Sequence, residues 1–572
     1  MKEYRGYPIA PGVIAGKITL VEGDLFTVSK GHIKASEVKG QIRSFQKAVQ
    51  LSINEIDLLL TYLETRAIEE REILQSHQEI LKDAVLIEDI AEIIKNELKP
   101  ADRAVQDYFN KMIDHLSDIE DQILSQRQED FEDIKLRLIR NMHHQNFHIH
   151  DYVKPKRVVV LSEIIPSMVL SIKESHPLAV IVEKGSPHSH SAIIAKSIGI
   201  PVIFNIENAL NEFKEGDFVI VYGKEGKVIL EPDDESLIEY KAFEKKAKEE
   251  FKKKIALLKK ETATKDGVSI ELMGNIEFPE ECEIPEIQFI DGVGLFRTEF
   301  LYFMENSFPS AEKQFAVYKQ VIQNLPKDKP IYVRTFDVGG DKLQREFGLK
   351  KELNPNLGCR GIRFLLKYKE IFRQQIQGIL MASAFGNLKI MLPMISLMKE
   401  VVEVKELIEQ EKVKLKKKKV PFDENIEVGI MIEIPSSAIL ADRFAQHVDF
   451  FSIGTNDLTQ YVLAADRNNE ALSDEFTYFD PAVIELIKMT IDAGKKHNID
   501  VKLCGEMASD PMAVPLLIGL GLRSFSVNIA GILQVKKILA RYSIAELETF
   551  YKKHQNLSQE TLQHAYKQLV KK

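Results

Sequence analysis

Along the chain, the spacing of apolar positions changes several times. From Gly6 to Glu22 apolar and polar residues alternate around a turn of Ala10, Pro11 and Gly12, the two-residue period of strands. From about Ala35 to Met142 the period lengthens. Ile56, Leu60, Leu63 and Ala67 recur three or four apart with mostly charged residues between them, which predicts several antiparallel helices. Strand-like runs return at Arg157–Leu161, Ala179–Glu183, Pro201–Asn205 and Asp217–Val221, then a turn at Lys224–Gly226 and a further run to Pro232. The helical block is therefore expected as an insertion in an α/β domain whose first strand lies near the N-terminus. Between Asp233 and Glu261, Tyr240, Phe243, Ala247, Phe251, Ile255 and Leu258 form one apolar stripe in a charged stretch, the pattern of a linker helix that could serve as hinge or strut.

Beyond Thr262, eight β-rich runs alternate with helical stretches: Ser269–Ile276, Gly292–Arg297, Ile331–Phe336, Leu388–Pro393, Val428–Ile434, Asp449–Gly454, Val501–Cys504 and Ser524–Asn528. Eight is the number a (β/α)8 TIM barrel needs, with an open doubly wound sheet as the competing arrangement. The fold class expected is a multidomain α/β protein. Its parts are 1–30 and 146–232 for the split N-terminal α/β domain, 31–145 for the inserted helical bundle, 233–261 for the linker and 262–572 for the barrel.

Composition narrows the class. A length of 572 residues suits two to four domains at roughly 100–200 residues each. A net charge of −9, with no basic stripe carrying interleaved aromatics, argues against an extended nucleic-acid interface. The Lys-rich runs at 252–260 and 414–419 are read as solvated helix faces. No run is long enough to span a bilayer, and the opening MKEYRGYPIAPG lacks the apolar core of a secretory leader. The three cysteines, Cys282, Cys359 and Cys504, are too scattered for a disulfide framework, so a soluble protein of a reducing cytoplasm is expected.

Chemistry-bearing residues collect where barrel strands end. Strand two of the eight runs into Arg297, strand three into Arg334 and Asp337, strand five into Glu433, strand six into Asn456 and Asp457, and strand seven into Cys504, while Arg360 and Arg467 lie in loops beyond strands three and six. Several guanidinium groups at one mouth imply an anionic substrate held in two-point contacts. Glu433 and Asp457 are too few for a calcium cage but suit Mg²⁺. Together these demands fit a small phosphorylated, carboxylated molecule. Cys504 is either a small core residue or an acid or nucleophile at its strand end. In the N-terminal domain, residues 184–204 place Ser189, His190 and Ser191 at the start of an apolar helix, where free backbone N–H groups would stabilise a phosphoryl group on the imidazole. A metal site shared with His188 and a buried structural histidine remain the alternatives.

These segments carry a resemblance. IAPGVIAGK, SHSAIIA, GVGLFRTEFLYF, RTFDVGGDK, NPNLGCRGIR, IEIPSS, DFFSIGTNDLTQYVLAADR and LCGEMASDP together resemble Enzyme I, the phosphoenolpyruvate–protein phosphotransferase of the bacterial sugar phosphotransferase system, over nearly the whole chain. The resemblance implies that His190 is the phosphorylated nucleophile of a swivelling phosphohistidine domain. Arg297, Arg334 and Arg467 would bind the phosphate and carboxylate of phosphoenolpyruvate, with Asn456 assisting and Arg360 nearby. Glu433 and Asp457 would hold Mg²⁺, and Cys504 would protonate the enolate to give pyruvate. The inserted helices would dock the carrier protein HPr, and the barrel would form a homodimer. Where the family usually has Gly-Gly-Arg-Thr, this chain has Gly185, Ser186, Pro187 and His188, a departure that bears on the electrostatics around His190 and gives His188 a possible share in handling the phosphoryl group. Pyruvate phosphate dikinase and phosphoenolpyruvate synthase would need a nucleotide domain ahead of Gly6, and a nitrogen-related paralogue an N-terminal sensory domain; neither is expected. A catalytically silent or regulatory copy of the fold is the remaining alternative.

Overall fold

The computed structural model describes all residues except 22–27, 63–67, 118–121, 144–155, 163, 165–171, 173–174, 185–194, 196–199, 306–307, 340–351, 353, 467–468, 470–471, 473–475 and 572. The chain divides into two units, Met1–Glu249 and Glu250–Lys572.

In the first unit, strands β1 (Lys2–Arg5), β2 (Tyr7–Ala10), β3 (Val13–Val21), β4 (Val158–Leu161), β5 (Ala179–Val182), β6 (Val202–Phe204), β7 (Phe218–Tyr222) and β8 (Lys227–Leu230) form one sheet in the order β1-β8-β7-β3-β4-β5-β6-β2. The middle strands β3 to β6 pair in parallel, whereas β7, β8, β1 and β2 join antiparallel. Every residue of β4, β5 and β6 is buried, as a parallel sheet covered on both faces requires.

Among the described residues, five helices interrupt this sheet between β3 and β4: α1 (Val38–Tyr62), α2 (Ile68–Lys82), α3 (Ala84–Asn96), α4 (Ala101–Ser117) and α5 (Gln122–Met142). Their apolar stripe, with Phe45, Ile53, Ile56, Ile90, Phe109 and Ile139 inward, joins the core formed by Val159, Leu161, Val180 and Val182 on one sheet face. Val158, Val160, Ala179 and Ile181 alternate onto the other face, over Ile206, Phe213 and Val219. One apolar core thus runs from the sheet into the insertion. Leu63 and Ala67 of the expected stripe lie outside the described residues.

Helix α6 (Asp234–Leu258) follows β8, and the division between the units falls within it. Its stripe is only partly used. Leu237 and Tyr240 pack on Ile220, Tyr222 and Ile229, and Leu258 is buried, but Phe243 and Phe251 between them are exposed.

All eight strands expected in the second unit form, as β9 (Glu271–Ile276), β10 (Val293–Phe296), β11 (Ile331–Arg334), β12 (Leu388–Leu392), β13 (Val428–Ile432), β14 (Phe450–Ile453), β15 (Asp500–Leu503) and β16 (Ser524–Val527). Each pairs in parallel with the next, and β16 pairs with β9, so the sheet closes and the open arrangement is excluded. Met273, Leu295, Tyr332, Met391, Met431, Phe450 and Cys504 fill the interior as packed side chains. Closure brings every C-terminal strand end to one mouth. Among the described residues, no helix is long and apolar enough to cross a membrane.

Candidate active site

Arg334, the last residue of β11, is almost completely buried. Its Nη2 lies 3.0 Å from Oε1 of Glu299, and its Nη1 lies 3.5 Å from Oδ2 of Asp337. Burial opposes the charge on Arg334, but the carboxylates of Glu299, Asp337 and Glu433 outweigh it and hold the guanidinium firmly protonated. Thr298 Oγ1 donates to the Arg334 carbonyl at 2.8 Å, and the Asp337 amide donates to Glu299 at 2.8 Å, so the turn beyond β11 is pinned from β10.

From the loop beyond this turn, Arg360 grips Asp337 with two nitrogens, Nε to Oδ1 at 3.2 Å and Nη2 to Oδ2 at 2.8 Å. Its third nitrogen, Nη1, stands 3.5 Å from both the Tyr461 hydroxyl and Oδ1 of Asp457. Asp337 is therefore the hub between two arginines. Asp457 itself stands in the first turn of the helix Thr455–Leu463, where the chain leaves β14.

Glu433, just past β13, is completely buried. Oε1 accepts from the Met394 amide at 2.5 Å, while Oε2 has no hydrogen-bond partner among the described residues, and neither does Oδ1 of Asp457. Burial, reinforced by the charges of Asp457 and Asp337, pushes the Glu433 carboxyl up to about 8. Two buried carboxylates repel one another, and although Arg360 stands 3.5 Å from Asp457 Oδ1, Glu433 Oε2 meets no donor among the described residues, which favours a cation between them. That donor set fits a hard divalent ion taking one or two protein carboxylates and completing its shell with substrate oxygens and water. Among the described residues no group of three or more His, Cys, Asp or Glu is placed to form a closed protein cage. Gly454 leaves the space Glu433 needs, since a Cβ there would stand 2.9 Å from its Oε2.

Arg297, just past β10, is more exposed than Arg334 and Arg360 and pairs with Glu277 beyond β9. Asn456 faces Glu506, Nδ2 donating to Oε1 at 3.1 Å and Oδ1 accepting the Glu506 amide at 3.1 Å. The buried thiol of Cys504 accepts from Ser452 Oγ at 3.2 Å. Burial pushes this thiol up, and its field includes Glu433, Arg334 and Arg297, which ties the three strand ends into one locality.

Arg297, Arg334, Arg360, Glu433, Asn456, Asp457 and Cys504 thus all stand at or just beyond C-terminal strand ends of one barrel, and Arg334, Arg360, Glu433 and Asp457 share one charge network. His190, His188 and Arg467 lie outside the described residues. Of the arginines' partners, Asp337 and Asp457 are among the residues singled out from the sequence, whereas Glu277 and Glu299 are not; these carboxylates offset part of the positive charge before any anion binds. Clustered arginines require counter-ions in the unliganded protein, and Glu299 was available inside the GVGLFRTEFLYF segment. Ser452 gave no signal of its own.

Three family models match the chain: the N-terminal domain of phosphoenolpyruvate-utilising enzymes over residues 5–127, their mobile domain over 153–226 and their phosphoenolpyruvate-binding domain over 252–544. The phosphoenolpyruvate-protein phosphotransferase of Priestia megaterium is 36% identical over 551 residues, covering 96% of this chain and 95% of its own. The protein of that name from Bacillus subtilis is 34% identical over 559 residues, covering 98% of each. A solution structure of an Enzyme I protein, covered to 99%, overlaps 43% of this chain at 29% identity with a TM-score of 0.34. With relatives this similar along nearly their whole length, and a barrel mouth built from the residues described, the chain belongs to the phosphoenolpyruvate-protein phosphotransferase family of phosphoenolpyruvate-utilising enzymes.

Proposed function

We propose that the protein transfers the phosphoryl group of phosphoenolpyruvate to its own His190 and then to the carrier protein HPr, releasing pyruvate and driving sugar uptake. The observation that carries this reading is the mouth where Arg334 and Arg360 flank Asp337 beside the buried carboxyls of Glu433 and Asp457, with Glu433 Oε2 lacking a hydrogen-bond partner among the described residues. A dianionic donor brought with a divalent cation meets both demands.

In this reading Arg297, Arg334 and Arg467 bind the donor's phosphate and carboxylate, Asn456 assists and Arg360 orders Asp337 and Asp457 around them. Glu433 and Asp457 would hold Mg²⁺, which neutralises charge on the donor's oxygens when bound. The arginines orient the phosphoryl group for in-line attack by the His190 imidazole and exclude water from the mouth. Cys504 then delivers its thiol proton to the methylene carbon of the enolate.

Residues 1–30 and 146–232 form the phosphohistidine domain, 31–145 the HPr-docking block, 233–261 the linker and 262–572 the barrel that binds donor and makes a homodimer. The protein works in the cytoplasm. His190 must meet both the barrel mouth and HPr, which a motion about α6 would permit. Nothing in the site favours a catalytically silent copy. Pyruvate release with purified HPr as acceptor tests the reading. Release should require Mg²⁺ and fall by about a hundredfold or more in Arg334→Ala; Mg²⁺-independent release, or an unaffected variant, would refute it.

A further inference from the structure

Cys504 is held more completely than a packing residue requires. Its amide donates to the Ile453 carbonyl at 3.0 Å, and its carbonyl accepts from Asn275 Nδ2 at 3.0 Å. Asn275 is itself fixed at Oδ1 by the Ser526 hydroxyl at 2.6 Å. With the main chain held by Ile453 of the adjacent β14 and by Asn275 of β9, which lies beyond β16, the thiol is the part of Cys504 left to act.

Ser452 addresses that thiol directly. It lies on β14 two residues after Phe450, whose ring belongs to the barrel interior, so both side chains share the inner face. Ser452 is fully buried, in register with Met431 and Lys502 of the flanking strands, a position where a hydroxyl is costly unless it is bonded. Its Oγ donates to Sγ of Cys504 at 3.2 Å, and Sγ in turn lies 3.6 Å from the Ile453 carbonyl, on the line its own proton would take. The sulfur therefore receives one hydrogen bond and offers another. A donor aimed at sulfur strengthens when the sulfur becomes anionic, because hydrogen bonds to charged groups exceed neutral ones.

We propose that Ser452 is a positioning residue for the protonation half of the reaction, its hydroxyl fixing the thiol and stabilising, through its hydrogen bond, the negative charge that forms on sulfur as the proton departs. In that step the S–H bond breaks and a C–H bond forms at the methylene carbon. The enolate supplies the electron pair, its oxygen becomes the carbonyl of pyruvate, and the thiolate is later reprotonated by water. The inference rests on Cys504 being the acid.

The test follows deuterium entering the pyruvate methyl group in D₂O, with the full-length protein and Mg²⁺. Cys504→Ala should abolish exchange. Ser452→Ala should slow it about tenfold or more, the scale of one hydrogen bond to a charged atom. In this direction the thiolate takes a methyl proton, so the acid limb of the pH profile should move upward in Ser452→Ala; KM for pyruvate should stay unchanged, and Ser452→Thr should restore the rate. Exchange in Ser452→Ala at the unaltered rate and pH profile would overturn the role of Ser452, and so would equal losses in the Ala and Thr variants, which would make packing and not the hydroxyl responsible. Should Cys504→Ala exchange normally, the acid assignment falls first and the proposal with it.

Discussion

Lys502 stands on β15, two residues before Cys504, in surroundings that do not suit its charge. Its Nζ has no hydrogen-bond partner among the described residues and rests 3.4 Å from the centroid of the Tyr332 ring and 5.5 Å from that of Phe450. Burial pushes its pKa down to about 8, against the opposing attraction of Glu271 and Asp500. The unfolded lysine keeps a pKa of about 10.4. Below pH 8 the ammonium is protonated in both states and the folded barrel bears the full desolvation cost, on the order of 3 kcal/mol, which the cation–π contact offsets only in part. As pH rises from about 8 towards 10, the folded state releases its proton first and that cost disappears. Lys502→Met should therefore raise the unfolding midpoint of the barrel at pH 7, and its advantage should shrink by pH 10. A gap that stays constant across that range would contradict the assignment. At the residue scale the sequence was legible where a residue's type and place already implied its chemistry, as for Glu433 at a strand end. It was illegible where the role depends on a neighbour across the sheet, as for Ser452 beside Cys504 or Asp337 between two arginines.

The inserted helical block carries its own buried charge network. On α2, His77 is almost fully enclosed, with Nε2 2.7 Å from Asp130 and Nδ1 3.2 Å from Asp133, both on α5. One turn on, Arg137 reaches Asp133 at 3.2 Å and Glu55 of α1 at 3.3 Å, and Arg140 also pairs with Glu55. Burial alone would favour neutral His77, but its hydrogen bonds to Asp130 and Asp133 and their charges outweigh it and hold the imidazole above its ordinary pKa of 6.5. For Asp133, burial acts upward, yet Arg137 and His77 hold the carboxyl down at about 2.

The signs follow by linkage. The raised histidine stabilises the block fully below pH 6.5, and that contribution is lost as pH rises through its folded pKa. The lowered aspartate contributes above about 3.8 and is lost as pH falls towards 2. Hydrogen exchange of α2 and α5 in the full-length protein, corrected for intrinsic rates, should show protection greatest between these limits, and His77→Gln should remove the alkaline loss. Asp133→Asn should cost about 3 kcal/mol or more, since it breaks a buried pair; unchanged protection would count against the network. Helical periodicity announced these elements. The pairing of α2 with α5 could not be read from it, because the partners lie some fifty positions apart.

Across the whole molecule, the chain combines a sheet that receives an insertion with a barrel that closes on itself, and both were visible as changes of period. Continuous apolar runs marked the buried parallel strands, and the count of eight marked the barrel. Less was visible in α6, whose stripe marks a linker helix but leaves hinge and strut alike open, and where Phe243 and Phe251 remain exposed. A helical period reports which residues share a side and not whether anything covers it. If His190 must serve both the barrel mouth and a separate carrier, a disulfide engineered to hold the two units in one arrangement should stop one half-reaction and spare the other; full turnover in the locked protein would exclude the required movement.

The central claim is that a donor held at the barrel mouth surrenders its phosphoryl group to an imidazole elsewhere in the chain. Its most direct measurement is the site of covalent label after mixing the full-length protein with phosphoenolpyruvate labelled in its phosphate, in the presence of Mg²⁺. The account predicts an acid-labile, base-stable phosphate that peptide mapping locates on His190, absent from His190→Ala and from protein deprived of Mg²⁺. Label on another residue, or equal labelling of the variant, would contradict it.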